Sequence, residues 1–176
     1  NIPRESCMPI LLEIAQKLHA AGKIDPMRND FPVTLHDPCN YVRLMGIVQP
    51  QREVIKLITP PGRFREMTPH GVENYCCGGG SGFAIMSGHN FGDWRHHVSG
   101  RKKFRQVLNA FQNEPMGPDV KKYICAPCSN CKGQLRDIID YYDGYEKVGL
   151  YYDGLVELMV NSLVDVNEGY LDFEWH

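Results

Sequence analysis

Seven cysteines hold most of the chemistry this chain can perform: Cys7, Cys39, Cys76, Cys77, Cys125, Cys128 and Cys131. All but Cys7 fall in three short groups flanked by Gly or Pro. A secreted disulfide framework usually has an even count in a shorter chain. Here the count is odd, the chain is 176 residues long and two cysteines are neighbours. That pattern points to a reducing compartment and to metal or redox chemistry.

Three chemistries compete for these thiols. A tetrahedral zinc site recruits Cys pairs two to four residues apart, and Cys128-x-x-Cys131 qualifies, but adjacent residues such as Cys76 and Cys77 rarely aim both sulfurs at one small ion. Cys125-Ala126-Pro127-Cys128 has the form of a thioredoxin-like dithiol between a strand and a helix, yet it leaves Cys39, Cys76, Cys77 and Cys131 unexplained. An iron–sulfur cluster, commonly held by four thiolates, accommodates adjacent cysteines best. Cys39, Cys76, Cys77, Cys128 and Cys131 supply five, enough for a cluster of unusual shape. Gly78-Gly79-Gly80 lets backbone N–H groups approach anionic sulfur closely. Pro38 and Pro127 fix the backbone beside their cysteines.

The elements that must position these groups are legible in the apolar pattern. Residues 8–21 predict a helix, with Ile10, Ile14 and Leu18 at helical spacing beside Leu11 and Ala15, stopped by Gly22. Residues 32–38 predict a short strand, with Cys39 just past its tip. A helix follows over 51–59, and an extended piece over 64–67 precedes the loop 71–75 that delivers Cys76 and Cys77. After a polar stretch from Ser87 to about Asp119, in which Phe104, Val107, Leu108 and Phe111 mark a helix face, residues 120–125 read as a third strand. A helix carrying Leu135, Ile138, Ile139 and Tyr142 opens at Cys128-Ser129-Asn130-Cys131, with Ser129 as its expected N-cap. Residues 148–152 read as a fourth strand, and Asp153 as the cap of a last helix built on Leu155, Leu158, Met159 and Leu163. Strands alternating with helices predict an α/β fold: a Rossmann-like parallel sheet flanked by helices. The cysteine loops then gather at the carboxyl ends of the strands, where such sheets bind ligands.

Composition agrees with one globular domain. The hydrophobic fraction of 43% and charged fraction of 23% exclude a wholly disordered chain. A net charge of −2 gives no case for nucleic-acid or membrane-surface binding. No apolar run approaches the roughly 18 residues of a membrane span, so none is expected. The chain opens Asn1-Ile2-Pro3, and the expectation is one domain over 1–176, a segment of something longer.

Three segments carry a family resemblance: His36-Asp37-Pro38-Cys39, Cys76-Cys77-Gly78-Gly79-Gly80, and Cys128-Ser129-Asn130-Cys131-Lys132-Gly133-Gln134-Leu135 preceded by Pro127. They resemble the cysteine-rich CCG domain of heterodisulfide reductase catalytic subunits. Within that family the resemblance is strongest to the K subunits of the membrane-bound Dsr electron-transfer complex of sulfate reducers. It covers roughly residues 30–165. It implies a non-cubane [4Fe-4S] cluster held by Cys39, Cys76, Cys77, Cys128 and Cys131, with Gly78 and Gly79 beside it, at which a sulfur–sulfur bond is cleaved. It implies too a C-terminal catalytic segment of a larger subunit, on the cytoplasmic side and attached to the inner membrane through partner subunits. Its substrate is then a small protein or molecule carrying a disulfide or trisulfide. The spacing from Cys77 to Cys128 exceeds the family's usual one, so an insertion is expected around 88–118. A non-catalytic electron relay, or a zinc-stabilised assembly domain, is the competing class; a substrate cleft near Cys76 and Cys77 favours the enzyme, a closed, buried site the alternatives.

Residues outside the cysteine motif have narrower expectations. His36 is the candidate catalytic residue, placed to donate a proton to a leaving thiolate or else to anchor its loop. The basic run from Arg95 to Arg105 crowds a helix start, where the dipole disfavours cations, and is a candidate surface for an acidic partner. Cys125 is expected to be a non-ligand, Cys7 a small buried hydrophobe, and Tyr141, Tyr142, Tyr145, Tyr151 and Tyr152 packing residues.

Overall fold

Two apolar faces, one on each side of a short parallel sheet, account for the architecture. The computed structural model describes residues 6–80 and 94–171. Helix α1 (Cys7–Ala20) begins at Ser6, whose hydroxyl accepts a hydrogen bond from the Met8 N–H at 3.3 Å. Strand β1 (Val33–Leu35), helix α2 (Pro50–Ile58) and strand β2 (Phe64–Arg65) follow. Next come α3 (Arg101–Ala110), β3 (Lys122–Cys125), α4 (Ser129–Tyr141), the single turn α5 (Gly144–Val148), β4 (Leu150–Asp153) and α6 (Leu155–Asn161).

All strand pairs are parallel, in the order β2-β1-β3-β4, with Leu35 opposite Cys125 and Cys125 opposite Asp153. Side chains alternate across the sheet with period two. Val33, Leu35, Tyr123 and Cys125 pack on one face against α1, α2 and α6. Ile124 and Leu150 pack on the other against α3, α4 and α5. Chain order runs from β1 outward to β2, then returns to β3 on the opposite side. The crevice between β1 and β3 is therefore the topological switch point, the place where sheets of this kind bind ligands.

Several local expectations are corrected. Met8 and Ala15 bury the face of α1, while Ile10 and Ile14 stay exposed; apolar residues run most of the way round this helix, so spacing alone did not pick the inner side. Cys128, not Ser129, is the N-cap of α4, and Gly154, not Asp153, that of α6. Asp153 instead ends β4, and Leu163 lies beyond α6, bridging to Ile24. Of the expected insertion, residues 94–118 form a π-helical segment (Trp94–Gly100) running directly into α3, then a turn; residues 88–93 lie outside the described ones.

Candidate metal centre

The switch point brings the cysteine loops together. Beyond the last sheet pair, His36 N–H donates to the Cys125 carbonyl at 2.9 Å, so the β1 and β3 exits leave side by side. From β1 the chain enters a π-helical turn (Asn40–Leu44) whose N-cap is Cys39. From β3 it turns through Pro127 to Cys128 and Cys131 at the start of α4. The loop after β2 delivers Cys76 and Cys77.

A buried polar frame ties these loops to one another. Arg52 of α2 reaches both carboxylate oxygens of Asp37 at 2.8 and 2.5 Å, and both of Glu66 at 2.7 and 2.9 Å. Asp37 also accepts from the Gly71 N–H at 2.6 Å. Arg43, in the turn after Cys39, donates to the carbonyls of Val72, at 2.8 Å, and Asn74. These bonds fix the Cys39 loop against the loop that carries Cys76 and Cys77.

At the centre the sulfurs are close. Cys77 Sγ lies 3.2 Å from Cys131 Sγ, beyond any disulfide bond, and His36 Nε2 lies 3.2 Å from the same Cys131 sulfur. The Gly78 N–H donates to Cys76 Sγ and the Gly79 N–H to Cys77 Sγ, both at 3.3 Å. Two glycines make this fit. Gly78 has φ +85°, and a Cβ there meets Ser99 Cβ at 2.5 Å. A Cβ on Gly79 meets the Asn130 carbonyl oxygen at 2.6 Å. The loop thus lies flat against α4 and the π-helical segment.

Hydrogen bonding polarises the thiols alternately. Hydrogen bonding with Cys131 and Cys76 holds the Cys77 thiol far below its ordinary range. Cys131 also pulls Cys128 down to about 6, with help from the Cys131 and Asn130 backbone N–H groups at the α4 start. Cys131, in contact with both Cys128 and Cys77, is pushed up, as is Cys76 beside Cys77. Charge on Cys39 also raises Cys76, which places the fifth sulfur in the same electrostatic neighbourhood.

The His36 tautomer follows from its surroundings. Lys103 Nζ, which can only donate, lies 2.9 Å from Asn74 Oδ1, so the Asn74 amide nitrogen faces the other way. That nitrogen approaches His36 Nδ1 at 3.5 Å and donates to the Asp37 carbonyl at 3.1 Å. Nδ1 is then the acceptor, and Nε2–H points at the Cys131 sulfur. Burial pushes the His36 pKa down, with the Lys103 charge adding to the effect, which favours the neutral ring.

Each sequence candidate now has a place. His36, Cys77 and Cys131 are buried and together, with ligating atoms within 4.8 Å of one another. Cys39 and Cys128 are half-buried at the rim, and Cys76 is exposed. Cys125 is fully buried on the opposite sheet face, its thiol pushed well up by burial. Cys7 is exposed rather than buried: its sulfur lies 3.8 Å from the Tyr41 hydroxyl, on the wall of a 270 Å3 cleft that Cys128, Pro127, Leu11 and Leu155 also line. Tyr141 and Tyr142 pack against the π-helical segment, Tyr141 stacking on His96 at 4.2 Å. The basic run divides. Arg95 pairs with Asp137 in the interior and Lys103 is fully buried, while Arg101, Lys102 and Arg105 are exposed. Sequence reasoning missed Asn74, Arg52 and Lys103; only the position of Asn74 two residues before the cysteine pair hinted at any of them.

A parallel α/β domain with a cysteine-lined cradle at its switch point is thus the class of protein in hand. The chain belongs to the CCG cysteine-rich domain family, whose model matches residues 33–136. It is 30% identical, over 83% of its length, to an Hdr-like menaquinol oxidoreductase iron–sulfur subunit of Archaeoglobus profundus. To the Archaeoglobus fulgidus protein named subunit 2 of that type it is 27% identical over 83% of its length. An uncharacterized iron–sulfur protein of Methanococcus maripaludis is 24% identical over 75% of the chain. The chain spans about a quarter of the length of these relatives, 24%, 24% and 23% respectively. No solved structure matches it significantly. Among the described residues, no helix is long and apolar enough to cross a membrane.

Proposed function

We propose that this domain holds a non-cubane [4Fe-4S] cluster through Cys39, Cys76, Cys77, Cys128 and Cys131. In this reading it forms part of a larger iron–sulfur subunit that reduces a sulfur–sulfur bond. The observation that carries the proposal is the convergence of three cysteine loops on one edge, with the Gly78 and Gly79 N–H groups donating to sulfur. The donor set fits the group: its thiols are already polarised toward thiolate at Cys77 and Cys128, and the diglycine leaves no side chain over the cradle. The cluster, when bound, supplies one-electron reduction and an iron site for sulfur. The net reaction is R–S–S–R′ with two electrons and two protons giving RSH and R′SH.

The chain's own residues divide the remaining work. His36 is 1% exposed, so it serves as a positioning residue, its Nε2–H held to the Cys131 sulfur, rather than as donor to a leaving thiolate. A cleft beside Cys128, rather than the one expected at Cys76 and Cys77, gives a substrate sulfur access from solvent and supports the enzyme reading. The partners proposed are other subunits of a membrane-associated electron-transfer complex, with this domain at the cytoplasmic face. The substrate is a small protein or molecule bearing a disulfide or trisulfide.

A second reading rests on a specific observation. His36, Cys77 and Cys131 bring three ligating atoms within 4.8 Å, a set suited to structural zinc. That reading gives Cys39 and Cys76 no role. Anaerobic purification followed by EPR under stepwise reduction, with thiol release from an aliphatic disulfide as the activity, separates the two. A cluster signal that changes on adding the disulfide supports the proposal; a silent, zinc-loaded protein refutes it.

A further inference from the structure

The basic run contains a lysine in the wrong place for a surface. Lys103 is 0% exposed, and its ammonium reaches two amide oxygens, Asn74 Oδ1 at 2.9 Å and Gln106 Oε1, with Met67 Sδ at 3.9 Å. Gln106 is held in turn by its own donation to the Pro69 carbonyl at 2.6 Å. Among the described residues, no carboxylate forms an ion pair with Lys103. A buried ammonium without a counter-charge is costly, and a well-placed Leu or Met on α3 avoids that cost.

Through Asn74, Lys103 connects to the Asp37 carbonyl and, by way of His36, to the Cys131 sulfur 3.2 Å from Cys77 Sγ. Asp37 already has Arg52 at 2.5 Å, a much nearer partner. The remaining negative charge belongs to the cysteine cradle. His36 lies in between, facing Asn74 on one side and Cys131 on the other.

We infer that Lys103 is the internal counter-charge of the thiolate site, a positioning residue that makes reduction of the bound group more favourable and fixes the hydrogen-bond chain Lys103–Asn74–His36–Cys131. This rests on the cluster reading above. An electron added to a set of thiolates is an added negative charge, and a nearby buried cation stabilises that state more than the oxidised one. The same ammonium dictates which way Asn74 turns and hence which His36 nitrogen carries its proton.

The test is the one-electron midpoint potential of the cluster in anaerobically purified native-length protein. Wild type is compared with Lys103→Gln, Lys103→Met and Lys103→Arg by EPR-monitored titration at pH 6.5. Gln keeps a donor toward Asn74 without the charge, Met removes both, and Arg keeps the charge. The expected result is a reduction equilibrium roughly tenfold less favourable in the Gln and Met variants, about 59 mV for one electron, with Arg close to wild type. Loss of the cluster from both neutral variants but not from Lys103→Arg supports the role too, because charge is what separates them. Intact clusters at the wild-type potential in the neutral variants overturn the inference. A wild-type protein without any cluster overturns the reading of the site itself, a different failure.

Discussion

Three consecutive glycines meet three different surroundings, which makes Gly78, Gly79 and Gly80 a graded test of how the cysteine loop is held. At Gly78 an alanine Cβ falls 2.5 Å from Ser99 Cβ and 2.9 Å from the Ser99 backbone carbon, at φ +85°. The left-handed backbone costs a non-glycine residue about 1–2 kcal/mol, and forcing a methyl into packed surroundings about 1–3 kcal/mol more. At Gly79 the backbone carries no such strain, but the Cβ meets the Asn130 carbonyl oxygen at 2.6 Å and Gln134 Cβ at 2.9 Å, so only the packing cost of about 1–3 kcal/mol applies. Among the described residues nothing lies within 4 Å of a Cβ on Gly80, and an alanine there stays within about 1 kcal/mol of wild type in either direction. At about 2–4 °C per kcal/mol for a chain of this size, Gly78→Ala lowers the melting temperature by roughly 4–20 °C and Gly79→Ala by less. Anaerobic thermal melts with acid-labile sulfide assays on the same samples read both stability and cluster retention. Equal melting of all three variants, or Gly80→Ala as the worst, refutes the packing described for the loop.

Further outcomes follow from the same geometry. Serine at Cys39, Cys76, Cys77, Cys128 or Cys131 abolishes or remodels the cluster's EPR signal, while Cys7→Ser and Cys125→Ser retain it; loss in Cys125→Ser with retention in Cys131→Ser reverses the ligand choice. Arg52→Leu leaves Asp37 buried without its partner and costs about 3–5 kcal/mol, measured by denaturant titration of the cluster-free protein; a loss under 1 kcal/mol contradicts the frame. Burial lowers the Lys103 pKa to about 7, so between that value and the unfolded value near 10 the unfolded chain binds the extra proton and stability rises with pH. In cluster-free protein Lys103→Met therefore gains most over wild type below pH 7, by up to about 3–5 kcal/mol, and the gain fades toward pH 10; a pH-independent difference contradicts it. Glutamate at Arg101, Lys102 and Arg105 slows oxidation of the reduced protein by ferricyanide and flattens its salt dependence, since Lys102 sits 3.9 Å from the ring centroid of Tyr75, the residue preceding Cys76; unchanged rates at low salt make the patch an ordinary solvated face.

The parallel sheet was legible because buried strands and amphipathic helices have separate periods, and Tyr123 to Cys125 or Leu135 to Ile139 carry them cleanly. Convergence of the cysteines was legible too, since each group follows a strand. What periodicity does not encode is which way a loop turns or what a charge meets. The π-helical segments at Asn40–Leu44 and Trp94–Gly100 have no composition of their own. Arg95 and Lys103 read as surface cations because their partners, Asp137 and Asn74, lie 42 and 29 residues away. Cys128 took the capping position expected of Ser129 because its own backbone is extended, at φ −143° and ψ 126°, and Ser129 is already the first helical residue. Cys7 surfaced because α1 turns its Met8 face, not its first residue, to the sheet.

Metal and sulfide analysis of the anaerobically purified, iron-replete protein tests the central claim most directly. The account predicts about four irons for this domain with matching acid-labile sulfide, lost together when Cys77 or Cys131 is replaced by serine. One zinc per chain with neither iron nor sulfide contradicts it, and assigns His36, Cys77 and Cys131 to a structural site instead.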